Sequence, residues 1–193
     1  MSGAESLDDA AVMAVSLRDP RQFAVIYQRH VQDIYAYLRR RGLSDADAQD
    51  LTGATFEQAL RRRSQYRTDR GPVRAWLFGI ATNQHLDMVR AAARRSSDRA
   101  QRAMRLLADV PATAGNPSAG TDDDPHLRDA MQRLPQRYMT VLALRFYAEL
   151  SPAEVAAAMD IPPSRCAVVA HRALTALRKE LAASTRSPLE APK

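Results

Sequence analysis

Four polar residues in the middle of the chain recur at steps of four, three and four, so they share one face if the segment is helical. They are Asn83, Asp87, Arg90 and Arg94. Asparagine amides and arginine guanidinium groups can hydrogen-bond base edges and phosphates. Asp87 leaves two roles open, since it can accept from a base or can only orient Arg90. A positive track continues along Arg95, Arg99, Arg102 and Arg105.

A second candidate for nucleic-acid contact lies near the C-terminus. Ser151 and Glu154 have the spacing of a capping box, which begins a short helix. The sequence Asp-Ile-Pro-Pro at 160–163 ends that helix, and a longer one follows. Short helix, tight turn and long helix form a helix-turn-helix, whose second helix enters the major groove of DNA. A plain helical bundle with a solvated basic face gives the same pattern.

The long second helix has one apolar stripe and one polar face. The stripe, which must face the hydrophobic core, is Cys166, Ala170, Ala173, Leu174, Leu177 and Leu181. The opposite face is Arg165, Val168, Arg172, Thr175 and Lys179. His171 lies at the edge of the stripe. Cys166 is expected to be a small buried residue rather than a redox sensor.

Composition narrows the class of protein. The net charge is +6 and the pI about 10, and most of the excess lies in residues 1–109, which suits contact with phosphates. One cysteine cannot form an internal disulfide, and the four histidines have no zinc-site spacing. We therefore expect no metal and no cofactor. The sequence has no run of apolar residues long enough for a membrane span and no secretory signal, which predicts a cytoplasmic protein.

The chain divides at residues 110–125, which combine proline, glycine, small residues and an acidic run and predict a flexible linker. The rest has helical periodicity without strand-like alternation. Helices are predicted near 20–41, 44–63, 72–107, 124–134, 135–147, 152–159 and 163–183. The expected organisation is all-α, with two small helical domains. It comprises an N-terminal tail (1–19), a first domain (20–109), the linker (110–125), a second domain (126–183) and a disordered tail (184–193).

Residues 70–83, RGPVRAWLFGIATN, resemble the region 2.3–2.4 signature of extracytoplasmic-function (ECF) σ factors of bacterial RNA polymerase, an R-x-W-L-x-x-I-A-x-N pattern. Asp50-Leu51 with Phe56 resembles region 2.2. Phe23, Tyr27 and His30 resemble region 2.1. Residues 134–137 (Leu-Pro-Gln-Arg) and the segment from Leu142 to Ala156 resemble region 4. The resemblance covers nearly everything but the linker and the tails, and it implies a σ2-like bundle followed by a σ4-like helix-turn-helix.

The resemblance implies three interfaces. Region 2.2 of the family docks on the clamp of the β′ subunit, and the matching residues are Asp50, Leu51 and Phe56. Region 2.4 and the loop before it read the −10 element and capture a flipped-out base; the matching residues are Arg74, Asn83, Asp87, Arg90 and Arg94. The recognition helix reads the −35 element, for which the candidates are Arg165, Val168, His171, Arg172 and Lys179. Trp76 is expected to be a hydrophobic-core residue rather than a base-stacking one.

Two departures from the family pattern bear on mechanism. Gly53 and Ala54 stand where region 2.2 usually has glutamine and an acidic residue, so clamp docking is weaker or uses neighbouring residues. The segment 164–169 (Ser-Arg-Cys-Ala-Val-Val) lacks the usual polar residues of the recognition helix. An outward Val168 could meet a thymine methyl or another protein. With few phosphate contacts left, we expect weak −35 affinity with a shallow salt dependence.

The leading hypothesis is a σ factor that binds core RNA polymerase through the β and β′ subunits and directs promoter recognition and DNA melting. Promoter DNA and an anti-σ factor are its other expected partners. The alternative is a degenerate σ-like regulator that binds polymerase or another regulator without efficient initiation. No enzyme motif such as H-E-x-x-H, a P-loop or G-x-S-x-G occurs, so an enzyme is disfavoured. A dimeric repressor would explain the helix-turn-helix but not the block around Trp76.

Overall fold

The computed structural model describes residues 7–106 and 124–185, and all regular structure in these two stretches is helical. The α-helices are α1 (Asp9–Ser16), α2 (Phe23–Arg40), α3 (Asp45–Arg62), α4 (Val73–Leu106), α5 (Pro125–Gln132), α6 (Gln136–Phe146), α7 (Pro152–Ala158) and α8 (Pro163–Thr185). The all-α prediction is confirmed, and α2 to α8 lie within a few residues of the predicted ranges. Most of the predicted linker and most of the C-terminal tail lie outside the described residues.

Local sequence signals set the helix ends. The Ser44 hydroxyl accepts a hydrogen bond from the backbone N–H of Asp47 at the start of α3 (3.1 Å). Ser151 and Glu154 form the complete capping box at the start of α7, with reciprocal bonds of 3.3 and 2.8 Å. Gly42, just beyond α2, has a φ of +89°, where a side chain would be strained. The predicted capping box at Ser151 is therefore confirmed, and Ser44 caps α3 in a similar way.

Helix α1 lies inside the segment expected to be an N-terminal tail. Its Val12 and Met13 side chains are buried in the same hydrophobic cluster as the residues of α2. Asp9 accepts a hydrogen bond from Arg29 (2.8 Å), and its second carboxylate oxygen lies 2.6 Å from Nε2 of His30. Helix α1 therefore packs on α2 as part of the same hydrophobic cluster. A helix of only eight residues gives too short a periodic pattern to stand out in the sequence.

Helices α2, α3 and α4 pack around one hydrophobic core. The most buried large side chains of α2 are Ile26, Ile34, Tyr37 and Leu38, at 0% exposure. The Tyr37 ring meets the Phe78 ring of α4 edge to face, with centroids 5.2 Å apart. Helices α5 to α8 form the second domain, in which α7 and α8 make the predicted helix-turn-helix.

The two domains pack directly on each other. The hydrophobic cluster of the first domain continues into the second through Ala143, Leu144, Ala148, Leu150, Val155, Ala156, Ala158 and Cys166. Helix α7 contacts the N-terminal half of α4. The sequence predicts two domains joined by a linker but gives no indication of this contact.

Candidate nucleic-acid interface

Helix α4 is held in one rotational position by the side chains on its buried face. Val73, Leu77, Phe78 and Ala81 are each at most 1% exposed. A hydrogen bond of 2.9 Å joins the hydroxyls of Tyr37 and Thr82 inside the core. Because Thr82 directly precedes Asn83, this bond fixes where Asn83 points.

Gln84, on the other side of Asn83, is anchored to α3. Its amide oxygen accepts a hydrogen bond from the Thr55 hydroxyl (2.9 Å). Its amide nitrogen donates to Oε1 of Gln58 (2.6 Å) and to the carbonyl oxygen of Ala54 (3.2 Å). Sequence reasoning missed these positioning residues, because isolated threonines and glutamines carry no periodic signal.

His85 adds a neutral buried group to the same turn of α4. It is 5% exposed, and its Nδ1 has no hydrogen-bond partner. Burial, helped by the positive charge of Arg41, lowers the pKa of His85 to about 3. The imidazole is therefore uncharged near neutral pH and contributes nothing to the positive face of α4.

The polar face of α4 is open to solvent, as the spacing predicts. Asn83, Asp87, Arg90 and Arg94 are all exposed. Asp87 accepts a hydrogen bond of 3.0 Å from Arg90, and both side chains are more than 60% exposed. An ion pair this exposed is worth little and is easily exchanged for a phosphate. The face can therefore present hydrogen-bond donors to a nucleic-acid strand at a fixed orientation.

Arg74 differs from the other predicted −10 residues because its guanidinium contacts groups outside α4. It donates to the carbonyl oxygen of Ala148 in the second domain (2.7 Å). Its Nε lies 3.6 Å from a carboxylate oxygen of Asp33, and the group stacks over the Phe78 ring at 5.2 Å. In this conformation the Arg74 side chain is 29% exposed, so only part of it is open to a DNA strand.

The predicted polymerase-docking residues on α3 have different environments. Asp50 is exposed, and Leu51 is half-buried against the hydrophobic core. Phe56 is only 4% exposed and makes an edge-to-face contact of 4.9 Å with Tyr27. Phe56 therefore packs beneath the exposed surface of α3. Tyr27, which is 45% exposed, is the aromatic side chain that is open to solvent there.

The outer face of α8 agrees with the predicted pattern. Arg165, Val168, His171, Arg172 and Lys179 are all exposed, and Val168 is 50% exposed. Cys166 is buried on the opposite side, as predicted, and burial raises the pKa of its thiol. Val169 is also buried, which widens the predicted core stripe. The apolar side chain of Val168 therefore lies in the middle of the surface that would face a DNA major groove.

A cleft of about 740 Å³ separates the loop before α4 from α7 and the following turn. One wall carries Arg62, Arg67, Arg70, Trp76 and Asn83, and the other carries Ala153, Ala157, Ile161, Pro162 and Pro163. Trp76 is half-buried, with its ring 5.6 Å from that of Tyr66. The predicted hydrophobic-core residue is therefore also a wall of the cleft between the domains.

The described residues contain neither a cluster of metal ligands nor a membrane-spanning helix. In 7–106 and 124–185 no group of three or more histidine, cysteine, aspartate or glutamate side chains could hold a metal ion. Within the same ranges, no helix is long and apolar enough to cross a membrane.

Comparison with known proteins identifies the class. Residues 26–95 match the family model of Sigma-70 region 2, and residues 126–177 match that of Sigma-70 region 4. The chain is 32% identical to the RNA polymerase sigma factor CarQ of Myxococcus xanthus over 164 residues, covering 82% of this chain and 88% of CarQ. It is 35% identical to the ECF RNA polymerase sigma factor SigD of Mycobacterium tuberculosis over 151 residues, covering 76% and 68%.

Solved structures share the fold. The sigma factor RpoE of Bartonella quintana, in complex with the anti-sigma factor NepR, superposes with a TM-score of 0.61 at 18% identity, covering 84% of this chain and 98% of RpoE. CnrH, in complex with the cytosolic domain of CnrY, gives 0.63 at 22% identity, covering 91% and 97%. The chain belongs to the σ70 family of RNA polymerase σ factors. Within that family it is an ECF σ factor, and its function is promoter recognition with core RNA polymerase.

Proposed function

We propose that this σ factor directs RNA polymerase to its promoters mainly through the α4 face, which reads the −10 element and helps to open the duplex. The observation that supports this most strongly is the fixed, solvent-exposed row of Asn83, Asp87, Arg90 and Arg94. Its rotation is set by the Tyr37–Thr82 bond and the Gln84 network, so little ordering is needed on binding.

Strand opening requires a place for unstacked bases. Extruding a base costs a few kcal/mol, which contacts to the base edge and to phosphates offset. Asn83 carries both a donor and an acceptor and lines the cleft, as Trp76 does. Arg90 and Arg94, about two and three turns further along, suit the phosphates of the same strand.

Polymerase docking is assigned to the exposed edge of α3. Asp50 and Leu51 present a carboxylate and an apolar side chain to the β′ clamp, with Phe56 packed behind them. Gly53 is exposed and adds no side chain to this surface. The docking surface is therefore small, and Tyr27 extends it on the side of α2.

The second domain has a secondary part in promoter choice. Arg165, Arg172 and Lys179 are the cationic side chains that the predicted −35 surface offers, and His171 joins them at its edge. The exposed Val168 stands among them and offers an apolar contact but no phosphate bond. We assign this face a weak −35 contact together with the β subunit.

The proposal includes neither catalysis nor a cofactor, since nucleotide addition belongs to the core enzyme. σ factors as a class are not enzymes. The chain would work in the cytoplasm, where the polymerase and the promoter DNA are. RpoE was solved with an anti-σ factor, and we extend that kind of partner to this chain.

Run-off transcription tests the proposal. Core polymerase, with and without the purified chain, is given a library of genomic DNA fragments, and the transcript starts are mapped. Transcripts that appear only with the chain and share a −10 sequence support the σ assignment. Binding of the chain to core polymerase without any such transcript would instead favour the σ-like regulator.

A further inference from the structure

Three consecutive arginines at the end of α3 have three different environments. The Arg61 side chain forms an exposed ion pair with Glu57, one turn earlier, and Arg62 is also exposed. Arg63 is half-buried, and its guanidinium reaches back to α1. A run of arginines suits phosphate contacts, but Arg63 makes its hydrogen bonds inside the protein.

The Arg63 guanidinium joins the C-terminal ends of two helices. Its Nε donates to the carbonyl oxygen of Ser16, the last residue of α1 (3.0 Å). Its Nη1 donates to the carbonyl oxygen of Leu60 in the last turn of α3 (2.7 Å). The last carbonyls of a helix lack partners within the helix, and the helix dipole favours a cation there. Because the guanidinium is planar with separate donors, it can serve both carbonyls at once.

Helix α1 is a firm support for this bridge. Val12 and Met13 are only 1% and 2% exposed, and Ser16 is fully buried. The Ser16 hydroxyl donates to the carbonyl oxygen of Met13 (2.7 Å), and Asp9 ties the start of the helix to α2 through Arg29. The Ser16 carbonyl is therefore held at a fixed position relative to the hydrophobic core.

Helix α1 also lies along the loop before α4, residues 63–72. A groove of about 410 Å³ between them is lined by Ala10, Met13, Ala14 and Leu17 of α1 and by Arg63, Tyr66, Arg67, Thr68 and Asp69 of the loop. The Tyr66 hydroxyl donates to the carbonyl oxygen of Gly71 (3.1 Å), and its ring lies 5.6 Å from that of Trp76. The loop is thus held at its start by Arg63 and near its end by Tyr66.

We propose that Arg63 is a positioning residue for −10 recognition. It fixes the loop against α1, so that α1 affects strand opening without contacting DNA. This inference rests on the proposed function of α4 and of the loop before it, which captures a flipped-out base. A loop held in one conformation loses less entropy when a base binds.

Transcription from a promoter that the wild-type chain recognises tests this role, with the chain titrated into core polymerase. Arg63→Gln is expected to lower the maximal run-off transcript about tenfold, because small misplacements of a binding group are costly. The half-saturating concentration of the chain should stay as in the wild type. Arg61→Gln is the matched control, since it removes the same charge from the same end of α3. A template with the −10 element already unpaired should restore most of the transcript.

Arg63→Lys separates positioning from a direct phosphate contact. Lysine keeps the charge and can bind a phosphate, but it lacks the fork that reaches two carbonyls. Most of the defect is therefore expected to remain. Asp9→Ala loosens α1 from α2 and leaves the loop residues unchanged. It should give a weaker defect of the same kind, with Glu57→Ala as its charge control.

Trp76 provides a probe that needs no DNA. It is the single tryptophan of the chain, and Tyr66 of the loop lies beside it. Both Arg63 variants are expected to increase acrylamide quenching of Trp76 relative to Arg61→Gln. Circular dichroism verifies that their helix content is unchanged.

Three results would overturn the proposal: a transcript yield in Arg63→Gln equal to that in Arg61→Gln, full recovery in Arg63→Lys, or unchanged Trp76 quenching. A defect caused by a raised half-saturating concentration would also overturn it, because Arg63 would then act in polymerase docking. Failure of the σ function is distinguishable as the absence of transcript from the wild-type chain. In that case Trp76 quenching still decides whether Arg63 holds the loop.

Discussion

The hydroxyl of Tyr37 on α2 lies 2.9 Å from that of Thr82 on α4, and both side chains are buried, at 0% and 3% exposure. This bond ties the hydrophobic core of the first domain to the residue before Asn83. Helix rotation is otherwise set by apolar packing, which tolerates small shifts better than a hydrogen bond does. The polar face of α4 thus depends on a bond in the interior.

Tyr37→Phe is expected to lower the free energy of unfolding by about 1–2 kcal/mol, because the buried Thr82 hydroxyl loses its partner. Urea unfolding at neutral pH measures this. Tyr35→Phe on the same helix removes a hydroxyl that bonds Asp45 at the surface, and its expected effect is within about 0.5 kcal/mol. Equal losses in the two variants would contradict the assigned role of the Tyr37–Thr82 bond.

On α3, substitutions at Asp50 and Phe56 should have separable effects. Asp50→Ala is expected to weaken binding to core polymerase by about 1–2 kcal/mol with an unchanged unfolding midpoint, because the side chain is exposed. Phe56→Ala should instead cost about 3–5 kcal/mol of stability, because it leaves a cavity beside Tyr27. Fluorescence anisotropy with core polymerase and urea unfolding measure the two quantities.

Glu57→Ala is the control for Asp50→Ala, since it removes another exposed carboxylate from the same helix. Polymerase affinity in Asp50→Ala equal to that of Glu57→Ala would remove Asp50 from the docking surface. A Phe56→Ala chain with wild-type stability would show that Phe56 is not part of the hydrophobic core.

His85 makes stability depend on pH in a defined window. Its folded pKa is about 3, below the unfolded value near 6.5, so the unfolded chain binds more protons between these two values. The contribution of His85 to the free energy of unfolding is therefore fully present above pH 6.5, and it is lost as the pH drops toward 3. The His85 contribution has a slope that approaches about 1.4 kcal/mol per pH unit.

Urea unfolding between pH 7 and pH 4 measures this dependence. His85→Leu is expected to flatten the curve in that range, whereas His126→Leu, at an exposed position on α5, should leave it as in the wild type. A curve for His85→Leu that is as steep as the wild-type curve would assign the acid sensitivity to other groups.

The helix positions could be predicted because the local signals agree with the fold. Ser151 accepts its capping bond where the spacing predicts it, and Val168 faces outward because the core stripe of α8 fixes its direction. Phe56 shows the limit of motif spacing. Its place in a family motif predicts a role in polymerase docking, whereas its burial indicates that it acts through packing in the hydrophobic core.

The contact between the domains could not be predicted from the sequence. Its participants on α7 are Ala156, Ala157 and Ala158, which also suit an ordinary helix, and Gly79 looks like a weak point of α4. A Cβ atom at Gly79 would lie 2.7 Å from the carbonyl oxygen of Ala158, which is about 80 residues away in sequence. No local sequence pattern encodes so distant a contact. The hydrogen bond from Arg74 to the backbone carbonyl of Ala148 could not be predicted either, because every residue type carries such a carbonyl.

Helix α4 is expected to contribute more to promoter choice than α8 does. Run-off transcription with two charge-matched double variants tests it most directly: Arg90→Gln with Arg94→Gln, and Arg165→Gln with Arg172→Gln. Each removes two exposed arginines, and urea unfolding verifies that both chains fold. The α4 pair is expected to lower promoter-dependent transcript about tenfold more than the α8 pair. An equal or larger loss in the α8 pair would contradict the account.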